Sequence, residues 1–586
     1  MSMARIARRV RELMVTVSLL AGLLGAALAR AGDVASAIPP VRALPPEALA
    51  IVRRLAVQHN GRHKPFESFA RETLQMITGS PQIGHDDPVR TVVSILAEPE
   101  AWQAAPLMHI PFRPLREPLG MAPRASHISY NELVATRKLM RMLPAIVQKQ
   151  QREEKLTMLE QETMDVYERF VSLSALFERN LVLVPPPSGR GASWLPIFEA
   201  EGFSSAHQDA LRSAWTSFLD AVQKGDGQAT VTQARQLSTL LRSANAAAYP
   251  ASWRLTLEVG YHHVAPFRIA WIFYLLACAL LSLGLAPARR RLAAVGTGLC
   301  LAAFVVHGGG IATRVILGGR PPVSNFFETM LWLPFVAVTL ALVFERLSRV
   351  RPSTRPSASL RTVPSAVEGR YFALAASLLA AITLMLSEHV PLDASISPVV
   401  AVLRSNLWLT IHVLTIVASY GVLALATVLA HLMGVLALRR ADRARLAALE
   451  PLLYRTLQVG VVLLAGGIML GAVWANASWG RYWGWDPKET WALITLLWFL
   501  AVLHGRSAGW LTGVTVALCT ITGFFLLLMT YYGVSFYLVG LHSYAGGHAK
   551  PIPALLIGYV AAEALFVALV AWRAFRPAVS TRRKTA

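Results

Sequence analysis

The chain has 586 residues, 54% of them hydrophobic and 15% charged, and a formal net charge of +22. That balance excludes a single water-soluble globular domain and implies a polytopic membrane protein with a soluble part attached. The basic residues lie mostly in loops between apolar runs, where they set topology, so no nucleic-acid partner is expected. The three cysteines, Cys278, Cys300 and Cys519, each fall inside an apolar run, and no CxxC or CxxCH occurs. This excludes a disulfide oxidoreductase and a c-type cytochrome.

In chain order, residues 1–32 have a basic start, an apolar centre and an ALARA end. They read as a cleavable signal peptide or a retained signal anchor, and either sends the next residues outward. Residues 33–262 contain no spanning run and are expected to form an extracytoplasmic, mainly α-helical domain. VQHNGRHKPFESFARETL (57–74) reads as a Gly-punctuated turn leading into a helix. His59 and His63 are metal-ligand candidates there, although a loop histidine is commonly a surface residue. Ser129 to Leu183 and Ser205 to Ala248 are poor in helix breakers and predict long amphipathic helices.

Residues 263–586 are expected to form a transmembrane domain of nine helices, near 267–285, 292–317, 326–345, 371–388, 408–437, 456–474, 488–505, 510–532 and 552–574. The loops 286–291, 346–370 and 438–455 carry three, six and five arginines, and the tail is also basic. The alternate loops are nearly free of Lys and Arg. This alternation predicts a cytoplasmic N-terminus and C-terminus, with the soluble domain outside. Within the first long basic loop, 351–370 reads as an unfolded Pro/Ser/Arg-rich linker.

Residues 474–491, WANASWGRYWGWDPKETW, hold five tryptophans, Trp474, Trp479, Trp483, Trp485 and Trp491, between two apolar runs. An interfacial aromatic belt accounts for one or two of them. Five in eighteen residues, with glycines between, instead suggest an apolar shelf for a large planar ligand. The stretch ends as a helix start: Asp486 suits the N-cap, Pro487 the first helical position, and Glu489 the acid of a capping box. By the expected topology His412 and His542 share the outer face with this loop. Each is an interfacial hydrogen-bonding residue or a ligand.

WGRYWGWDPKETWALI (479–494) resembles the tryptophan-rich WWD signature of the haem-handling proteins of cytochrome c maturation. Its Lys488-Glu489 ending is similar to the CcsA/ResC branch, the System II cytochrome c synthase component. PPVSNFFETM (321–330), SNLWLTIHVLTIVASYG (405–421) and VGLHSYAGG (539–547) extend the resemblance over roughly the C-terminal half. The soluble block resembles an N-terminal extension of some long CcsA-type proteins.

The resemblance implies a multi-pass protein of the bacterial inner (cytoplasmic) membrane. Such a protein exports reduced haem b and presents it for thioether attachment to the CxxCH of apocytochrome c, as part of a haem lyase. It implies His412 and His542 as axial ligands at an outer site, with Trp479, Trp483 and Trp485 as the shelf. Asp486 organises the helix start, and Arg481 or Lys488 pairs with a propionate. LLWFLAVLHGR resembles the family's transmembrane histidine, which makes His504 an inner haem ligand. A helix rising ~1.5 Å per residue from Pro487 puts it about 26 Å deeper. In the family its partner histidine comes from a ResB/CcsB-like protein, and His431 or His307 are internal substitutes. The implied partners are apocytochrome c, that ResB-like protein, a thiol-reducing protein and the bilayer. No residue reads as a catalytic nucleophile. Two other readings stay open: a CcmC-like haem exporter serving a separate lyase, and a transporter of another flat ligand.

Overall fold

A computed structural model describes residues 38–187, 193–350, 366–390, 392–397, 407–439, 443–542 and 552–575. The expectations for the N-terminal signal, for 351–365 and for the basic tail lie outside the described residues, whereas 366–370, expected to belong to the unfolded linker, begin a helix. The chain divides into two compact units, residues 1–259 and 260–586.

In the first unit, Asn60 and Gly61 both take positive φ, 50° and 71°. Two such residues make the tight turn of a two-residue hairpin, so β1 (Ala56–His59) pairs antiparallel with β2 (Arg62–Pro65). The expected turn is therefore a hairpin, and the expected helix follows at Phe66–Thr78. The stretch from 129 to 183 is broken into three helices, Tyr130–Thr136, Lys138–Gln151 and Met158–Phe177. Capping boxes at Ser129/Glu132 and Thr157/Glu160 start two of them afresh. Likewise Ser205–Lys224 and Gly227–Ala244 form a helical hairpin, because Gly225 is left-handed and Asp226 caps the second helix.

The core of this unit buries Trp102, Trp215, Phe66 and Phe218. Arg62 makes a two-pronged contact with the buried Glu258, at 2.6 and 2.5 Å. His59 lies 3.7 Å from Glu72, whereas His63 stacks on Trp194 at 4.7 Å. The two histidines thus serve separate packing contacts, and among the described residues no cluster of three metal-ligating side chains exists.

The second unit is an α-helical polytopic membrane protein, with nine helices long and apolar enough to span a bilayer among the described residues. They are α1 (Pro266–Gly284), α2 (Arg290–Gly318), α3 (Phe326–Val350), α4 (Ala366–His389), α5 (Leu407–Leu438), α6 (Arg443–Trp479), α7 (Pro487–Ser507), α8 (Val514–Tyr537) and α9 (Ala554–Phe575). All nine expected spans are present. The centre is α5, buried almost continuously from Ile416 to Ala430 and packed against α3, α4, α6, α8 and α9.

Two elements differ from expectation. At ~1.5 Å per residue α6 is about 55 Å long, well beyond a ~30 Å hydrocarbon core. It contains no breaker strong enough to stop it before Gly480, whose φ is +71°. Trp474 and Trp479 consequently sit on its last turns rather than in a loop. In α8 the turn Met529–Gly533 is π-helical, and Val534–Tyr537 resumes the α-helix.

Candidate functional site

The approach of α5 and α6 builds one side of the site. Gly460, Gly467 and Gly471 face α5 at sites with no room for a side chain. A Cβ on Gly467 would lie 2.7 Å from Ile416 Cδ1, and one on Gly471 would lie 2.6 Å from His412 Cε1. Small residues four apart are the usual way membrane helices come this close. The contact leaves the Gly467 carbonyl open to His412, whose Nδ1 lies 2.8 Å from it. A carbonyl only accepts, so a neutral His412 carries its proton on Nδ1 and keeps the Nε2 lone pair free. The ring also lies parallel to Trp474, at 6.2 Å and 8°.

The loop between α6 and α7, followed by the start of α7, builds the second side. Asp486 is the N-cap, and Glu489 closes a capping box by accepting from the Asp486 N–H at 3.2 Å. The Asp486 carboxylate also accepts from the Leu541 N–H at 2.9 Å and from His542 Nδ1 at 3.3 Å. Close approach of this strap needs Gly540, since a Cβ there would meet Asp486 Oδ1 at 2.7 Å. Burial pushes the Asp486 carboxyl up. His542 and the N–H groups of Lys488 and Leu541 outweigh it and hold the carboxyl below the ordinary carboxylate range. Because the carboxylate accepts from Nδ1–H, His542 Nε2 is left without a hydrogen-bond partner among the described residues. An imidazole anchored through one nitrogen and open at the other is the arrangement metal-binding histidines adopt.

His412 and His542 line one cavity of about 1110 Å³. That is just above the ~300–1,000 Å³ usual for small-molecule sites, so it admits a porphyrin-sized ligand. Trp474, Trp479 and Trp483 line it too, as do Lys488 and Tyr531. Trp474 and Trp479 meet edge to face at 4.6 Å, and both present to the His542 ring in the same way. The aromatic surface is therefore a wall of crossed rings rather than a flat shelf. Within it the Trp474 indole N–H is buried without a hydrogen-bond partner among the described residues.

The π-helical turn of α8 contributes to this cavity. It presents the Tyr531 carbonyl to Lys488 Nζ at 3.3 Å, while Ser535 Oγ accepts from the same ammonium at 2.9 Å. Such turns concentrate at functional sites.

The other expected site residues fall elsewhere. Trp485 does not line the cavity. Its backbone is left-handed at φ +57°, and its side chain is 70% exposed. Trp474, one of the five tryptophans but not among the three assigned to the shelf, takes its place in the wall. Its spacing from Gly467 and Gly471 on one helix is the signal that would have found it.

Arg481 lies against Trp479 and near Glu489 rather than in the cavity wall. His504 is exposed on α7, with Nδ1 2.7 Å from the Leu500 carbonyl of its own helix. Neither His431 nor His307 has a free ring nitrogen to pair with it. His431 bonds Thr427 O through Nδ1 and Glu563 through Nε2, at 2.9 Å. The fully buried His307 bonds Leu331 O through Nε2 at 3.0 Å and Tyr274 OH through Nδ1 at 3.5 Å.

Residues 323–542 match the family described as "Cytochrome C assembly protein". These residues include every cavity element from α3 to His542. Protein NrfI of Wolinella succinogenes is 29% identical over 525 residues, which is 84% of this chain and 54% of NrfI. The chain therefore spans about half the length of that relative. The cytochrome c biogenesis protein CcsA of Prochlorococcus marinus subsp. pastoris is 32% identical over 267 residues, 40% of this chain and 78% of CcsA. CcsA of Guillardia theta is 33% identical over 258 residues, 40% of this chain and 80% of that protein.

Proposed function

The chain belongs to the CcsA family of cytochrome c biogenesis proteins, and from that premise we propose that its membrane unit holds haem between His412 and His542 and presents it for covalent attachment to apocytochrome c. The observation that carries this reading is the pair of imidazoles on one cavity, each anchored through Nδ1 and open at Nε2. Two such ligands saturate an axial pair on haem iron.

Attachment adds each CxxCH thiol across one vinyl group of reduced haem, forming a carbon–sulfur bond at one vinyl carbon and a carbon–hydrogen bond at the other. The chain's own part is to hold the macrocycle, orient it and exclude water. Crossed tryptophans supply the apolar wall, and the Lys488 ammonium, whose hydrogen bonds among the described residues go to neutral acceptors, suits a propionate. Positioning supplies most of the rate, since no side chain among the described residues of the cavity is read as a nucleophile. Reduced substrate thiols come from a separate thiol-reducing protein.

In this reading the protein resides in a bacterial cytoplasmic membrane, with the soluble unit and the tryptophan loop outside and a ResB/CcsB-like membrane partner beside it. His504, whose Nε2 has no hydrogen-bond partner among the described residues, serves an inner haem site on the export path. The test is co-expression with that partner and an apocytochrome in a host lacking other maturation factors. Covalent haem, detected by peroxidase stain after denaturation, is expected. Haem bound to the chain without covalent product would instead assign it to export for a separate lyase.

A further inference from the structure

Three charged side chains are buried together where α2 ends and α3 begins. Arg314 donates through Nε and Nη2 to Glu328 Oε1, at 3.2 and 2.9 Å, and its remaining donors reach Tyr261 OH and the Ala394 and Ser395 carbonyls. Arg320 donates through Nη1 to Glu328 Oε2 at 2.5 Å and through Nε to the Ser397 carbonyl at 2.8 Å. Glu328 Oε2 also accepts from the Ser324 N–H. One carboxylate thus faces two guanidinium groups, leaving a positive charge in excess. The other acid on these loops, Asp393, is exposed and accepts from the Ser395 N–H. An unbalanced charge buried in a membrane protein is costly, and such residues mark functional sites by default.

Arg314 and Arg320 differ in one respect. Every nitrogen of Arg314 has a partner, whereas Arg320 Nη2 has none among the described residues. The Arg320 side chain is only 8% exposed, yet it lines the cavity that holds His412 and His542. Three contacts connect its surroundings to Lys488. Glu328 precedes Thr329, whose hydroxyl is 2.8 Å from that of Tyr531, and the Tyr531 carbonyl accepts from Lys488. Phe326, on the same turn of α3, stacks on Tyr531 at 4.7 Å. Arg320 thus contacts the first turn of α3 directly, Lys488 is tied to that turn through Tyr531, and both line the one cavity.

We propose that Arg320 and Lys488 together form a dicarboxylate clamp in this cavity, Arg320 taking the second of two carboxylates on one edge of the ligand. The inference rests on the haem reading above, since haem carries two propionates on adjacent positions. It adds the residue that selects a free-acid porphyrin over an esterified one. The rigid guanidinium, held through Nε by Ser397 and through Nη1 by Glu328, is preorganised to donate from Nη2.

The test is a Soret titration of the purified full-length protein with haem b and with its dimethyl ester, in wild type, Arg320→Gln, Arg320→Lys and Lys488→Gln. Wild type is expected to prefer the free acid. Arg320→Gln should weaken haem binding about ten-fold, the equivalent of one charge-assisted hydrogen bond, and leave the ester unchanged. Arg320→Lys should recover part of the preference, and Lys488→Gln should lose a similar share independently. An equal loss for both ligands would make Arg320 a purely structural member of the cluster and overturn the proposal. So would unchanged haem affinity in Arg320→Gln. A wild type that binds haem with a bis-histidine spectrum but does not distinguish the ester would refute the clamp alone. A wild type with no Soret band on haem addition would remove the haem reading and the clamp with it.

Discussion

At the residue scale, the two proposed ligands depend on neighbours that would not touch the haem iron. Asp486 fixes His542 through Nδ1, and losing such a partner typically costs ~10–100-fold in metal affinity. Asp486→Asn should therefore weaken haem binding by roughly that factor, read by haem titration, while leaving both imidazoles in place. Gly471→Ala should act on the other ligand. Its Cβ would meet His412 Cε1 at 2.6 Å, so the imidazole must shift. The expected result is reduced haem occupancy and a protein destabilised by about 1–3 kcal/mol, the usual cost of overpacking.

The tryptophans divide in the same way. Trp474→Ala should lower haem retention, and Trp485→Ala should not, measured as haem per protein after purification. The capping box at Asp486 was legible because its residues are adjacent in sequence. The outward turn of Trp485 was not, because it depends on a left-handed backbone that a tryptophan rarely adopts.

At the element scale, helix existence was easier to read than helix ends. Nine apolar runs announced nine spans, but the end of α6 is set by the first left-handed glycine, Gly480, not by where hydrophobicity fades. The π-helical turn of α8 has no local signature in MTYYG, and its role emerges only from the contacts of Tyr531 with Thr329 and Lys488.

The first unit carries a different element-scale device. The short strands Met108–His109 and His127–Ile128 pair so that the two histidine rings lie 4.9 Å apart. Burial, with His127, Arg169 and Arg116 nearby, brings the His109 pKa from 6.5 down to about 4. His127, lowered mainly by burial, responds in the same direction. The unfolded chain therefore binds more protons than the folded one between pH 6.5 and 4. Stability is complete above that window and falls as pH drops through it. Allowing for solvent screening, the loss is about 1–2 kcal/mol. Hydrogen exchange of the full-length protein, corrected for intrinsic rates, should show these strands opening more at pH 5 than at pH 7. His109→Gln should flatten the difference.

At the scale of the whole molecule, the basic loops predict which side each part occupies. Reporter fusions at residues 150, 360 and 545 should read outside, inside and outside, and an inside signal at 150 would overturn the topology. Within that frame His504 is separated from the tryptophan loop by the length of α7, so its effect must be carried by haem itself. His504→Ala should lower haem at the outer site in cells, while haem added in detergent refills it with normal spectra. Normal loading in cells would return His504 to a helix-terminal residue bonded to Leu500.

The central claim is the pair of axial ligands, and the absorption spectrum of the purified full-length protein tests it most directly. Wild type, His412→Ala and His542→Ala would each be prepared from haem-replete cells and measured with and without external imidazole. The account predicts a low-spin bis-histidine spectrum for wild type. Each variant should show lost haem or an opened coordination site, and imidazole should restore it. Unchanged haem content and an unchanged spectrum in both variants would contradict the account.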